Sequence, residues 1–206
     1  MRKYFVTGIG TDVGKTVVSA IIVEALQADY WKPVQAGELS HSDTHSVQEL
    51  ISNSKSVMHG HSYALKTPMS PHAAAEIDGL EIDIDQIKEP ETENNLVIEG
   101  AGGLLVPLNE RETILDIIKE DYKVIVVSRH YLGSINHTLL TLSALKANGI
   151  EVAGVIFNGA IHPSTEDIIK KMGKVKEIGR IDEEALVDKA VIKKYAELFK
   201  SRLEVL

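Results

Sequence analysis

The segment Gly8-Ile9-Gly10-Thr11-Asp12-Val13-Gly14-Lys15-Thr16 sets a lysine and a threonine directly behind a glycine-rich stretch. Glycines let backbone N–H groups close on phosphate oxygens, and a helix starting at the lysine adds the positive end of its dipole. In such a loop Lys15 would reach the terminal phosphates and the Thr16 hydroxyl would ligate Mg²⁺. The spacing is unusual. Five residues separate Gly8 from Gly14, and three separate Gly10 from Gly14, where the common phosphate loop has four. An apolar stretch precedes the loop and a long apolar one follows it, so we read a phosphate loop of a variant class rather than a simple strand-to-helix turn.

Magnesium requires oxygen ligands beyond one threonine. Glu99 ends the run Leu96-Val97-Ile98 and is followed by Gly100, Gly102 and Gly103. Asp43, in His41-Ser42-Asp43-Thr44-His45, is the second candidate, although taken alone it reads as a helix N-cap. Lys32 could aim a second cation at the phosphates, and Asn158 closes Val155-Ile156-Phe157 with an amide able to read a base. Gly8, Lys32, Glu99, Ser128 and Asn158 all fall at carboxyl ends of expected strands, the edge where open α/β sheets bind ligands. The eight histidines form no convincing metal cluster, Arg129 has no identifiable anion partner, and the acidic tract from Glu76 to Glu93 reads as a solvated face.

The elements that must hold these residues follow from the apolar pattern. Strands are expected at 3–8, 30–32, 95–100, 123–128, 151–159 and 174–179, the middle ones rich in the β-branched residues of buried parallel strands. Pro33 stops the second. Helices are expected at 15–29, 43–52, 134–149 (with Asn148-Gly149 as its stop) and 183–201. Alternating strands and helices predict a doubly wound, mostly parallel α/β sheet covered on both faces, in one domain spanning 1–206. The net charge of −8 argues against a sequence-independent grip on nucleic acid. Cysteine is absent, which excludes disulfides and thiolate metal sites. No secretory leader or membrane-length apolar run is legible, so no membrane partner is expected and a cytoplasmic protein is.

Six segments in order resemble the dethiobiotin synthetases of the phosphate-loop NTPase superfamily. They are the loop itself, Lys32-Pro33-Val34-Gln35, Ser42-Asp43, Ser70-Pro71-His72, Glu99-Gly100-Ala101-Gly102-Gly103, and Leu132-Gly133-Ser134-Ile135-Asn136-His137. That family's loop has the five-residue spacing seen here. The resemblance implies that ATP, CO₂ and 7,8-diaminononanoate give dethiobiotin, ADP and phosphate through a carbamate and a carbamic–phosphoric anhydride. Lys15 and Lys32 would be catalytic, and Thr16, Asp43 and Glu99 would hold Mg²⁺. ATP would lie against Asp12, Val13, Gly14, Lys15, Thr16 and Val17, against Asp43 and Glu99 to Gly102 (Gly100 and Ala101 included), and against Asn158. Substrate would meet Thr11, Asp12, Ala36 and Ser70, with its carboxylate at Gly133, Ser134 and Asn136 of the partner subunit in a homodimer.

Three positions depart from the family pattern. Ala36 replaces a usual Ser or Thr, Arg129 replaces a typically small residue, and Gly179-Arg180-Ile181-Asp182 lacks a common proline, so the resemblance fades after residue 160. Partition and cell-division ATPases of the same superfamily are the nearest alternative, but they carry an extra lysine early in the loop, where this chain has Thr7-Gly8-Ile9-Gly10. Amide-forming ATPases of cobalamin synthesis need an appended glutaminase with a cysteine nucleophile, which this chain lacks. A nucleotide-binding regulator with a degenerate site fits poorly with an intact Lys15, Lys32, Asp43 and Glu99 set.

Overall fold

The computed structural model describes residues 1–206. In chain order the elements are β1 (Lys3–Gly8), α1 (Lys15–Leu26), β2 (Asp29–Trp31), β3 (Val34–Ala36), α2 (Asp43–Leu50), β4 (Tyr63–Leu65) and α3 (Pro71–Ile77). They continue with β5 (Leu96–Gly103), β6 (Tyr122–Arg129), α4 (Ser134–Ala147), β7 (Val152–Asn158), α5 (Pro163–Gly173), β8 (Glu177–Ile181) and α6 (Lys189–Leu203). Six strands form one sheet in the order β2-β5-β1-β6-β7-β8, and every pairing is parallel. A parallel sheet must be covered on both faces, because each crossover lays a helix against it. Here α1 packs with α2 and α6, while α4 packs with α5 and against β6 and β7. No helix is long and apolar enough to cross a membrane.

The first strand occupies the middle, flanked by β5 and β6, and its Tyr4, Phe5 and Val6 are fully buried. Helix α1 is apolar on nearly every side because it lies between the sheet and α6. Val18, Ala20, Ile21, Ile22 and Val23 are wholly inaccessible, and burying each large aliphatic contributes roughly 1.5–3 kcal/mol. The winding direction changes at β1, so the crevice beyond its carboxyl end is the topological switch point of the sheet. The phosphate-loop candidate occupies that crevice.

The main elements match the pattern read from the chain, with corrections at their edges. The fifth strand runs on to Gly103, the last strand is Glu177–Ile181 rather than 174–179, and the closing helix begins at Lys189 rather than 183. The Asp188 carboxylate sets that start by accepting from the N–H groups of Ala190 and Val191, both at 2.9 Å. The β3–β4 ribbon, α3 and α5 are additions. The ribbon and α3 are too short for hydrophobic periodicity to reveal. In the ribbon, Pro33 ends β2 as expected, but its carbonyl accepts from the N–H groups of Ser62 and Tyr63 and so brings β4 beside β3.

The acidic tract is not uniformly solvated. Glu89 accepts from Tyr122 Oη at 2.9 Å, pairs with Lys3 at 2.6 Å and pairs with Lys119, tying the amino ends of β1 and β6 together. Burial would raise its carboxyl, but the hydrogen bonds from Lys119, Lys3 and Tyr122 outweigh that and bring it down to about 2. A carboxyl depressed in the folded state stabilises the fold above its unfolded value, and that stabilisation disappears as pH falls through about 2. Thermal melts of Glu89→Gln should therefore show a lower Tm than wild type at pH 7, with the gap narrowing steadily below pH 4.5. An unchanged Tm at pH 7 would remove Glu89 from the account of stability.

Candidate active site

The switch-point crevice is a cleft of about 790 Å³ lined by Thr11, Asp12, Gly14 to Val17, Lys32, Ala36, Asp43, Ser70, Glu99, Ala101 and Gly102. A larger cavity of about 1160 Å³ opens at the amino ends of β6, β7 and β8 and contains none of these residues. The candidate residues collect in the smaller cleft, where the loop, the two lysines and the two carboxylates meet.

The loop gets its shape from two left-handed residues, Asp12 (φ 55°) and Gly14 (φ 95°). Glycine is required at position 14 for the backbone angle, and a β-carbon there would also crowd the Asn158 amide and push it off the Val13 carbonyl. The carbonyls of the turn are held from outside. Arg129 Nη1 donates to the Asp12 carbonyl at 2.8 Å, and Asn158 Nδ2 donates to the Val13 carbonyl at 2.9 Å. Arg129 and Asn158 face one another in the β6–β7 register. Arg129 thus has a partner that sequence reading did not identify, and it is a backbone oxygen rather than an anion.

Behind the loop, Thr16 Oγ1 lies 2.9 Å from Asp43 Oδ1 and 3.0 Å from Glu99 Oε1. One hydroxyl proton can satisfy only one carboxylate at a time, so three oxygens converge on one small volume. Cis ligands on a Mg²⁺ ion with Mg–O of about 2.0–2.1 Å stand about 2.9 Å apart, which both distances from Thr16 match, and the three oxygens are the ligand chemistry that ion takes. Lys32 bridges the same carboxylates, pairing with Asp43 Oδ2 and lying 3.2 Å from Glu99 Oε1. Lys15 folds back so that Nζ donates to the Gly10 carbonyl at 3.0 Å.

The charges respond to one another. Burial would lower the Lys32 ammonium, but Glu99 and Asp43 outweigh it and hold the group above the ordinary lysine value. Burial would raise the Asp43 carboxyl, but the Lys32 charge and hydrogen bond, the Thr16 hydroxyl and Lys15 keep it below its ordinary value. For Lys15, burial wins: with Lys32 repulsion added, it pulls the ammonium down against the opposing pull of Glu99. The Tyr30 hydroxyl donates to Glu99 Oε2 at 2.9 Å, and burial, then the charges of Glu99 and Asp43, push its pKa up.

Some expectations move. Asp43 is the first residue of α2 rather than its cap; Ser42 is the cap, and its N–H donates to His45 Nδ1 at 3.1 Å. Asp43 is thereby free to face Thr16 and Lys32. Val13 and Gly100 are buried beneath the surface rather than lining the cleft. Gly133, Ser134 and Asn136 lie apart, in a neighbouring cleft of about 980 Å³ that also contains Arg129, Asn158 and Asp182. The Ser134 N–H is already spent on the Tyr131 carbonyl at 3.0 Å. Sequence reading missed Tyr30, which carried no signal beyond a place in a short strand.

With Gly14 in the left-handed region, Gly14→Ala should cost the loop conformation about 1–2 kcal/mol and weaken ADP binding at least tenfold, by calorimetry, in a protein that still melts cooperatively. Undiminished ADP affinity would mean the loop does not cradle phosphate.

Known proteins place the chain. A family model described as an AAA domain matches residues 2–191. The ATP-dependent dethiobiotin synthetase BioD of Christiangramia forsetii is 63% identical over 202 residues, covering 98% of each chain. The enzyme of the same description from Cytophaga hutchinsonii is 50% identical, covering 95% of this chain and 96% of that one. The aligned region therefore extends past residue 160 to nearly the whole chain. Among solved structures, a plasmid partition protein of Borrelia burgdorferi B31 bound to AMPPNP aligns with TM-score 0.63 at 13% identity, covering 100% and 99% of the two chains. The MinD cell division protein of Aquifex aeolicus aligns with TM-score 0.59 at 14% identity, covering 98% of each. At those identities the likeness concerns the fold alone, whereas near-full-length identity of 63% and 50% decides the family: the chain belongs to the ATP-dependent dethiobiotin synthetases.

Proposed function

We propose that this chain closes the cyclic urea of dethiobiotin from 7,8-diaminononanoate, CO₂ and ATP, as a single synthetase domain over residues 1–206. The observation that carries this beyond family membership is the cluster of Lys32, Thr16, Asp43 and Glu99 beside the phosphate loop. One substrate amine takes up CO₂ as a carbamate. A carbamate oxygen attacks the γ-phosphorus of ATP and ADP leaves, giving a mixed carbamic–phosphoric anhydride. The second amine then attacks the carbonyl carbon, closes the ring and expels phosphate. No protein nucleophile is needed; positioning and charge neutralisation suffice.

In this reading the loop N–H groups hold the phosphates, and Lys15 swings from the Gly10 carbonyl onto the terminal phosphate. Lys32, kept protonated by its two carboxylates, neutralises charge developing on the carbamate oxygen and the transferring phosphoryl group. Thr16, Asp43 and Glu99 would hold Mg²⁺, which when bound supplies further positive charge at the phosphates. Asp12, exposed at the mouth, would meet the substrate amines, and Thr11, Ala36 and Ser70 line the same cleft. Asn158 faces the adenine while holding the Val13 carbonyl. A methyl group at Ala36 leaves any polar contact there to backbone.

We further read the protein as a homodimer. Gly133, Ser134 and Asn136 lie outside the cleft of their own chain, which suits a helix start that receives the carboxylate of a substrate bound in the partner's cleft. The exposed Leu132 and Leu140 beside it supply apolar surface for such contact. An enzyme drawing on ATP fits a cytoplasmic location.

Mass spectrometry of a reaction with 7,8-diaminononanoate, Mg-ATP and ¹³C-bicarbonate should show labelled dethiobiotin together with phosphate. ATP binding without labelled urea would redirect the reading to a switch-type ATPase. Lys32→Ala should cut kcat by about 10²–10³, the scale for losing one preorganised charge stabiliser, with ADP affinity preserved. Near-normal turnover would remove Lys32 from catalysis.

A further inference from the structure

We propose that Tyr30 is a positioning residue of the metal site: its hydroxyl holds one Glu99 oxygen and so fixes the plane of the carboxylate, with only the other oxygen facing Thr16 and Lys32. The inference rests on the reading of Thr16, Asp43 and Glu99 as the Mg²⁺ ligands.

The register of the sheet brings the two side chains together. Tyr30 lies opposite Val97 in the parallel β2–β5 pair. Successive side chains on a strand alternate between faces, so Val97 and Glu99 share a face, as do Tyr30 and Lys32. Trp31 and Ile98 take the opposite face and line a separate small cavity there. Tyr30 therefore reaches Glu99 diagonally, on the side where α1 presents Thr16.

Each carboxylate oxygen of Glu99 then has its own environment. Oε1 receives Thr16 Oγ1 at 3.0 Å and Lys32 Nζ at 3.2 Å. Oε2 receives Tyr30 Oη at 2.9 Å, and Glu99 is only 1% exposed. The terminal torsion of a glutamate is broad and nearly two-fold, so rotamer preference does not orient the carboxylate plane. A donor on each oxygen does. Removing the tyrosine hydroxyl leaves a buried anionic oxygen without a partner. The carboxylate then gains by turning Oε2 toward Lys32 and Thr16, which disorders the ligand edge. Outer-shell partners of metal ligands act in this way, and their loss costs roughly 10–100-fold in metal affinity.

The test is Mn²⁺ or Mg²⁺ binding to the enzyme–ADP complex by titration calorimetry, with no turnover involved. Tyr30→Phe keeps the ring and its packing, and a cooperative melt checks that it folds. Metal affinity should drop about tenfold or more, while ADP affinity without metal stays at the wild-type value. Glu99→Gln provides the reference, and Tyr30→Phe added to Glu99→Gln should weaken metal binding no further, because the tyrosine acts only through that carboxylate. A merely structural role would make the two losses additive, or would lower metal-free ADP affinity as well; either result overturns the proposal. Wild-type metal affinity in Tyr30→Phe, with Glu99→Gln weakened, overturns it too. Wild-type metal affinity in Glu99→Gln instead overturns the metal-site reading beneath it.

Discussion

A buried carboxylate and a buried ammonium at the end of a sheet, with a half-buried carboxylate beside them, form the interaction on which the rest of this structure depends. Glu99 and Lys32 are nearly inaccessible to water, and each charge would be costly to bury alone. Their cost is offset because each is the other's partner and because Asp43, Thr16 and Tyr30 satisfy the remaining valences. Four separate elements must dock to assemble this set: the start of α1, the end of β2, the start of α2 and the middle of β5. The central parallel sheet supplies that docking. Its strands end together on one edge, so residues far apart in the chain become neighbours by construction.

The loop illustrates how a departure from the common spacing is accommodated. A five-residue insert between Gly8 and Gly14 needs two left-handed residues to close, and such turns leave outward-facing carbonyls. Arg129 and Asn158, adjacent across β6 and β7, cap two of them. The residue that departs from the family pattern at 129 thus has a mechanical role on the loop's back. The same fold occurs in a plasmid partition protein and a cell division protein, and a shared fold does not fix the chemistry, which depends on the residues mounted on it.

Much of this was readable in the chain. The loop, Lys15, Thr16, Lys32 and Glu99 were legible because their positions follow from strand ends, and strand ends follow from runs of Val, Ile and Leu bounded by glycine. The long helices α1 and α4 were legible from length and bounds, α1 as twelve residues apolar on nearly every side behind the loop and α4 as a stretch ending at Asn148-Gly149, although α4 buries Ser134, Thr138 and Thr141 and leaves Ile135 and Leu140 exposed. Three-residue strands such as β3 and β4 carry no periodicity, so only the Pro33 carbonyl contacts reveal them. Asp43 looked like a cap because capping residues and metal ligands are the same residue types. Glu89 looked solvated because nothing local distinguishes it from its acidic neighbours.

By itself the sequence determined that phosphate-binding chemistry, two candidate cations and one candidate carboxylate would share one edge of a parallel sheet, since side-chain type and strand period are local properties. It also determined the family, through the order of the motifs. Tertiary structure decided what each group touches. It gave the cap to Ser42 and left Asp43 facing Thr16, turned Arg129 onto a carbonyl, put Tyr30 behind Glu99, and set Gly133 to Asn136 in a neighbouring cleft. Those outcomes depend on register, on the alternation of faces and on which backbone groups remain unpaired after the sheet closes, and these are properties of pairs of segments that no single segment encodes.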